Sequence, residues 1–221
     1  MPEPSVPLPA LERMAAYMRC LMQLERENVR TVSSQEMEAL TGISAAQFRK
    51  DLSYFGEFGK RGIGYDVGQL HQRIAAVLRI QEEQPVLLVG AGNLGSALIA
   101  YPGWGDYGFR IVAVFDEDPA KIGTDLRGVR IRPLRDLPQV NRDLAARIGI
   151  IAVPADQAQA VADALIDAGV TGIINFAPVK LLHPEHVIVR DVCFICELAV
   201  LSYLIHAQEA APDGVPAQAA D

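Results

Sequence analysis

The chain has 221 residues, half of them hydrophobic, so it can hold one large domain or two small ones. No apolar run approaches the ~20 residues that a transmembrane helix needs, so we expect no membrane partner. The first residues lack the basic and apolar segments of a signal peptide, and three cysteines are too few for a disulfide framework. These features predict a cytoplasmic protein.

The net charge of −7 is unevenly distributed along the chain. Residues 1–80 carry ten Lys and Arg against nine Asp and Glu, whereas the remainder carries ten against eighteen. Because the local field governs phosphate binding more than the total charge does, an acidic protein with a local basic element can still bind nucleic acid.

Residues 8–27 have the 3–4 spacing of an amphipathic helix, and two Ser-capped helices follow. Ser33 and Ser44 each precede a Glu or Gln three residues on, the pattern of a capping box, and Gly42 separates the two helices. This pattern predicts a helix-turn-helix. Its second helix would expose residue types that contact base edges and phosphates, namely Gln47, Arg49, Lys50 and Ser53. The alternative is a small helical subdomain with a solvated charged face.

Three glycines surround Lys60-Arg61 within residues 58–65. They predict a β-hairpin with a basic tip, which after a helix-turn-helix would be a wing, and an Arg in a wing can enter a minor groove. Residues 69–81 then predict a connecting helix, and residues 81–85 form a polar boundary.

A glycine-rich turn follows the apolar residues 86–89. Gly90 would allow a tight turn out of a strand, Gly92 a close approach of a pyrophosphate, and Gly95 the packing of the next helix on the sheet. The N-terminus of that helix would offer N–H groups to the phosphates. A second strand, 111–115, ends in Asp116, at the spacing of an acid that binds a ribose diol. The motif therefore predicts NAD⁺ or NADH rather than a 2′-phosphorylated dinucleotide.

Strands and helices alternate from residue 86 onwards, which predicts a doubly wound parallel sheet. Further strands are expected at 129–131, 148–153, 172–176 and 187–189, with helices within 135–147 and at 156–168. Ligands bind beyond the carboxyl ends of such strands. The candidate cofactor-binding residues are Gly90, Ala91, Gly92, Asn93, Leu94, Gly95, Asp116, Lys121, Pro154, Asn175, Phe176, Ala177 and Pro178.

Residues 193–206 predict a final helix that is apolar nearly all round, so a neighbouring subunit could bury it. The tail beyond it has the composition of a disordered segment. The expected domains are 1–80 for DNA binding, 85–192 for the nucleotide, 193–207 for the helix and 208–221 for the tail.

The chain resembles the Rex family of redox-sensing transcriptional repressors over roughly residues 8–205. The motifs that carry the resemblance are residues 49–56, 61–65, 90–95, 115–116 and 175–178. The resemblance implies an α/β protein with an N-terminal winged helix-turn-helix, a Rossmann-like domain and a swapped C-terminal helix. It also implies a homodimer on a palindromic operator, from which NADH releases the protein while NAD⁺ competes for the same site.

By position, Arg49, Lys50, Lys60 and Arg61 match the DNA-contacting residues of that family. The full set of candidate DNA-binding residues is Ser44, Gln47, Arg49, Lys50, Ser53, Tyr54, Lys60, Arg61 and Gly62. The residues that couple the domains would be Arg19, Tyr101, Cys193 and Phe194.

Cys193 stands where the resemblance implies an Asp that pairs with Arg19. Losing one partner of a buried ion pair costs ~3–5 kcal/mol, whereas allosteric coupling is commonly ~1–3 kcal/mol. We therefore expect the cofactor to bind but its coupling to DNA release to be weakened, or the trigger to differ. Asp191 lies nearby and is expected to point elsewhere.

Cys193 and Cys196 form a Cys-x-x-Cys pair at a helix start, which can be a redox couple or two small apolar residues on a buried helix. With His183 and His186 they could supply four zinc ligands, but a swapped helix would separate the pairs, so we predict no metal site.

Two other function classes remain. An NAD-dependent oxidoreductase is disfavoured because none of His71, His183, His186 and His206 follows a strand end as a hydride-transfer acid would. The other class is a DNA-binding protein whose second domain binds a CoA-type ligand or serves only for dimerisation. We predict a regulator and not an enzyme.

Overall fold

A computed structural model describes residues 6–56 and 64–210, and the chain divides into two compact units at Glu83 and Gln84. In the first unit the elements are α1 (Leu8–Arg26), β1 (Thr31–Val32), α2 (Ser34–Thr41), α3 (Ala45–Ser53), β2 (Tyr65–Asp66) and α4 (Val67–Val77). In the second they are β3 (Gln84–Val89), α5 (Asn93–Ala100), β4 (Phe109–Asp116), β5 (Asp125–Leu126), β6 (Val129–Pro133), α6 (Leu137–Leu144), β7 (Ile148–Ile151), α7 (Ala155–Asp167), β8 (Gly172–Asn175), β9 (Ile188–Asp191) and α8 (Phe194–Ala210).

The first unit is built around one aromatic side chain. Phe48 of α3 is fully buried, and its ring meets Tyr17 of α1 and Tyr65 of β2 edge-on, at centroid distances of 4.8 and 5.3 Å. Edge-to-face pairs of this kind add stability beyond their buried area. The apolar stripe of α1 is also buried, with Met14, Met18 and Leu21 inward.

The two helix caps differ in how completely they form. At α2 the predicted capping box is complete: Glu36 N–H donates to Ser33 Oγ, and Ser33 N–H donates to the Glu36 carboxylate. At α3 only half of it forms, because Ser44 Oγ accepts from Gln47 N–H while the Gln47 side chain donates to Asp51. Gly42, at φ +72°, ends α2 in the left-handed conformation that glycine tolerates best.

The region of the predicted wing is only partly described. Residues 57–63 lie outside the described residues, and the hairpin expectation with them. The strand that follows, β2, pairs antiparallel with β1, Val32 opposite Tyr65. Sequence patterns missed this two-strand ribbon because neither strand is long enough to show a period.

The second unit is a seven-stranded sheet in the order β5-β6-β4-β3-β7-β8-β9. Every pairing is parallel except that between β5 and β6, so the predicted doubly wound sheet is confirmed in its central strands. Helices α6 and α7 cover one face around Leu137, Ile151 and Leu165, and α5 covers part of the other around Leu88 and Val114.

Several predicted boundaries were wrong by a few residues for local reasons. Helix α4 begins at Val67 because Asp66 caps it, accepting from Gln69 N–H at 2.8 Å. Strand β7 stops at Ile151, two residues before the predicted end. Strand β9 runs to Asp191, which lies opposite Asn175 of β8. Cys193 precedes α8 instead of belonging to it.

The surface of α8 is strongly apolar. Its large hydrophobic residues are about half exposed or more, from Ile205 at 46% to Tyr203 at 73%. No helix among the described residues is long and apolar enough to cross a bilayer. In the same residues no group of three or more His, Cys, Asp and Glu side chains is placed to hold a metal ion.

Candidate functional site

The glycine turn has the geometry that the sequence predicts. Gly90 has φ +105°, and a Cβ there would run into the Ala152 carbonyl. A Cβ on Gly95 would overlap the carbonyl of Gly90, so α5 starts directly against the turn. Gly92 differs from both, because a Cβ there would meet nothing within 4 Å. The open side of Gly92 is therefore where a pyrophosphate could approach the backbone.

Asp116 is tied to this turn. Its Oδ2 accepts from Ala91 N–H at 2.7 Å and from Lys121 Nζ at 3.1 Å, and its Oδ1 accepts from Asp118 N–H at 2.8 Å. Burial acts to raise the pKa of Asp116, but these hydrogen bonds outweigh it, and the pKa lies below its usual range. The acid is thus ionised at neutral pH and holds the end of β4 against the turn.

The charges around Asp116 sum to a net negative value. Lys121 also lies 3.7 Å from Asp118, so one lysine is shared between two carboxylates. Each carboxylate oxygen can accept more than one hydrogen bond, so ribose hydroxyls can add to the bonds already present. Discrimination against a 2′-phosphate by this residual negative charge stays a prediction.

The other edge of the crevice is the loop after β8. Asn175 is fully buried, and its amide donates to the carbonyls of Ala177 and Val179 and to Asp191, while its oxygen accepts from Ala177 N–H. Asn175 thus shapes the loop instead of facing a ligand with its side chain. The exposed Pro178 lies on that loop, and Phe176 N–H is bound to the Ile151 carbonyl.

The strand ends bring most predicted cofactor residues together. Gly90 lies against residues 152–153, Ala91 N–H donates to Asp116, and the loop after β8 is bound to Ile151. These contacts place the glycine turn, Asp116 and the loops after β7 and β8 at one edge of the sheet, namely residues 90–95, 116, 152–154 and 175–178. Asn93, Leu94 and Pro154 are exposed at this edge, and Leu94 is 42% exposed.

In the first unit, α3, the second helix of the predicted helix-turn-helix, carries a buried carboxylate, Asp51. Asp51 is 0% exposed and accepts from Arg13 Nε and Nη2 at 2.6 and 2.7 Å, from Tyr17 Oη at 2.8 Å and from Gln47 Nε2 at 2.7 Å. Burial would raise the pKa of Asp51, but the bonds from Arg13, Tyr17 and Gln47 leave it below its usual value. Burial and this carboxylate raise the pKa of Tyr17.

The other candidate DNA-binding residues have simpler surroundings. Arg49 Nη1 donates to Ser34 Oγ at 2.7 Å, and Ser53 Oγ donates to the Lys50 carbonyl at 2.7 Å. Arg49, Lys50 and Ser53 are exposed and Tyr54 is half-buried. Lys60, Arg61 and Gly62 lie outside the described residues.

Comparisons with known proteins agree with both halves of the chain. A family model described as a CoA binding domain matches residues 81–179, and one described as a putative DNA-binding protein N-terminus matches residues 5–53. The redox-sensing transcriptional repressor Rex of Pelotomaculum thermopropionicum is 46% identical over 198 residues, covering 90% of this chain and 93% of the relative. The chain belongs to the Rex family.

Other members of the Rex family are also similar to this chain. The Rex repressor of Desulfitobacterium hafniense is 44% identical over 205 residues, covering 93% of this chain and 98% of its own. The crystal structure of RSP in complex with beta-NAD+ and operator DNA has a TM-score of 0.85 at 33% identity, covering 92% and 94% of the two chains. RSP in complex with beta-NADH gives 0.84 at 31% identity, covering 93% and 96%. The predicted N-terminal DNA-binding domain and Rossmann-like sheet are confirmed.

The four residues that we predict to couple the domains lie at exposed positions. Arg19 is exposed on α1, and Tyr101 is 55% exposed with its ring edge-on to Trp104 at 6.3 Å. Phe194 begins α8, and Cys193 just before it is joined to Cys196 by a disulfide. Asp191 accepts from Asn175 at 2.8 Å and so points back to the sheet, as predicted.

Sequence reasoning missed the cluster of Arg13, Tyr17 and Asp51. A signal was present, because Phe48, Asp51 and Leu52 follow helical spacing and place the acid on the apolar side of α3. A charged residue on a buried face needs a partner, but the sequence does not tell which cation across the fold provides it.

We predict that two glycine substitutions affect different properties, one mainly the stability of the second unit and the other mainly its affinity for NADH. Gly95→Ala should lower the free energy of unfolding of the second unit by about 3 kcal/mol, because the new methyl group overlaps backbone. Gly92→Ala should cost less than about 1 kcal/mol, yet weaken NADH binding about tenfold or more, because its methyl group occupies the open side of the turn. Thermal unfolding and a fluorescence titration with NADH measure the two effects, and wild-type affinity in Gly92→Ala would contradict the proposed pyrophosphate position.

We predict that Asp51→Asn destabilises the first unit by about 3 kcal/mol, because Arg13 loses its buried counter-charge. Because the pKa of Asp51 is depressed on folding, its stabilisation exists above the unfolded pKa and is lost as the pH falls towards the folded one. Thermal unfolding between pH 7 and pH 3 should therefore show a smaller acid-induced loss in the variant. Glu27→Gln, on the exposed end of α1, is the charge-matched control and should behave as wild type; equal pH profiles for Asp51→Asn and wild type would refute the assignment.

Proposed function

We propose that this chain is a transcriptional repressor whose operator binding follows the NADH/NAD⁺ ratio, with NADH causing release. The observation that carries the proposal is the turn with an open Gly92 and an ionised Asp116, in a chain of the Rex family. RSP, similar over both units, is described with beta-NAD+ and operator DNA together, and with beta-NADH in a separate complex. The proposal makes the chain a regulator and not an oxidoreductase.

The proposed sites follow the two units. NADH and NAD⁺ would bind along residues 90–95, with the ribose diol on Asp116 and the loop 175–178 at the nicotinamide end. DNA would contact α3 through Arg49 and Lys50, with Ser44, Gln47, Ser53 and Tyr54 beside them and Lys60, Arg61 and Gly62 on the wing. Residues 1–80 would bind DNA, residues 85–192 the nucleotide, and residues 193–207 would form the C-terminal helix. Because a repressor needs access to the genome, we propose a cytoplasmic location.

We also propose a homodimer that covers the large apolar side chains of α8 and leaves the Cys193–Cys196 turn at its start accessible. The sheet face over β7, β8 and β9 that α5 does not cover has an apolar cavity of about 230 Å³, lined by Ile148, Ile150 and Ile174 among others. Ile188 at its rim is 67% exposed. An apolar helix and an apolar sheet face in one chain are surfaces that a second copy can cover reciprocally. Two DNA-binding units held in this way suit a palindromic operator.

Fluorescence anisotropy of a labelled palindromic operator duplex tests the proposed function. At fixed salt we expect tight binding without cofactor and with NAD⁺, and an operator Kd at least about fivefold higher with NADH. CoA is the control ligand, given the family-model match. Gly92→Ala should bind the operator but need about tenfold more NADH, or more still, for release. Equal operator affinity in the presence of NADH and NAD⁺ would contradict the proposal.

A further prediction concerns the missing carboxylate. Cys193→Asp should increase the NADH-driven change in operator Kd, because the acid restores a partner for Arg19 in one state of the switch. Cys193→Ser removes the thiol without adding charge and is the matched control. If the two variants respond to NADH alike, the carboxylate is not what sets the coupling in this chain.

A further inference from the structure

The Cys193–Cys196 pair, at the junction of β9 and α8, offers a thiol chemistry that the proposed function does not use. The two Cα atoms are 5.3 Å apart, the sulfurs are bonded, and both residues are exposed in the chain. The third cysteine, Cys20, is free and half-buried, so the pair is chemically distinct within the chain.

The pair also closes the first turn of α8. The Cys193 carbonyl accepts from Cys196 N–H at 3.1 Å and from Glu197 N–H at 3.3 Å, and Cys193 Sγ accepts from Cys196 N–H at 3.2 Å. A helix N-terminus stabilises negative charge on such a sulfur, which favours the thiolate that attacks disulfides. Cys193 is therefore the residue placed to react first.

The junction is tied to the nucleotide crevice. Val192 N–H donates to the Asn175 carbonyl at 2.8 Å, and Asp191 accepts from the Asn175 amide at 2.8 Å. Asn175 in turn shapes the loop 175–178. Cys193 is thus the neighbour of Val192, whose hydrogen bond holds this loop, so a change in the conformation of Cys193 can disturb that bond.

A bond of this kind contributes little as a structural staple. Disulfide stabilisation grows with the length of the loop that the bond closes, and this bond spans only three residues. Exposed disulfides are also the ones that exchange readily with small thiols. Both points favour a reversible bond.

We propose that Cys193 and Cys196 form a reversible thiol–disulfide site for low-molecular-weight disulfides, and that its redox state sets the affinity of the nucleotide crevice. The second part rests on the proposed function, since it needs NADH as the ligand. The chain then has two redox inputs, a nucleotide and a dithiol, at one junction.

The exchange is balanced. The Cys193 thiolate attacks one sulfur of oxidised glutathione, and the S–S bond of the reagent breaks. One glutathione departs as a thiolate, and the other remains bound to Cys193 as a mixed disulfide. The Cys196 thiolate then attacks the Cys193 sulfur, the mixed disulfide breaks, and the second glutathione thiolate leaves. Two electrons pass from the protein to the reagent, and the two protons lost by the cysteines are taken up by the two departing thiolates.

The direction of the effect follows from the structure. The disulfide fixes the first turn of α8 and with it the Val192–Asn175 bond, so the loop 175–178 is already ordered before the nucleotide binds. Preordering lowers the entropic cost of binding. We expect the oxidised chain to bind NADH about fivefold more tightly than the reduced chain, and to release operator at correspondingly lower NADH.

The first test is a redox titration of the full chain in glutathione buffers, read by alkylation after denaturation and intact mass. The intact mass should move reversibly between no alkyl groups and two in Cys20→Ser, and between one and three in wild type, where the free Cys20 adds one. Cys193→Ser and Cys196→Ser should form no intramolecular bond. A pair that stays in one state across the whole buffer range would overturn the thiol–disulfide site.

The second test is NADH titration by fluorescence on the oxidised and the reduced protein. Wild type and Cys20→Ser should differ between the two states, while Cys193→Ser and Cys196→Ser should not. Equal NADH affinity in both states of the wild type would overturn the regulatory part. If neither state binds NADH, the proposed function fails and with it the regulatory part, while the redox titration still decides the thiol–disulfide site.

Discussion

The close approach of Gly95 to the Gly90 carbonyl is the constraint on which the second unit depends. β3 is bonded on both sides, to β4 and to β7, so its end cannot move without disturbing the sheet. Starting α5 directly against that end requires two positions without a Cβ. The same geometry leaves the Gly92 backbone open, so packing and ligand access come from one turn.

Two buried or half-buried carboxylates organise the two units in similar ways. Asp116 joins β4 to the glycine turn through Ala91 N–H, and Asp51 joins α3 to α1 through Arg13. Both keep a depressed pKa because hydrogen bonds outweigh burial. In each unit, therefore, the element that would meet the ligand is held by a charge already satisfied in the fold, which preorganises it at neutral pH.

How far the sequence predicted this structure depended on whether a feature was local. The glycine turn, the Ser33 capping box and the strand–helix alternation are written in adjacent residues, and all three are confirmed. Contacts across the fold were not predictable: the Asp51 cluster joins residues 34 and 38 positions apart, and the bond from Ala91 to Asp116 spans 25. The buried role of Asn175 was missed for the same reason, because its partner Asp191 lies on a different strand.

The residue at position 193, just before α8, determines which kind of signal can act there in our proposal. A carboxylate at position 193 would act through charge and hydrogen bonds, with a strength set by the cation that faces it and by salt. A thiol paired with Cys196 acts through a covalent bond whose presence depends on the surrounding redox couple. Val192 and Asp191, the two residues before Cys193, bind Asn175, and in our proposal the redox state of the pair determines how firmly the Val192–Asn175 bond is held.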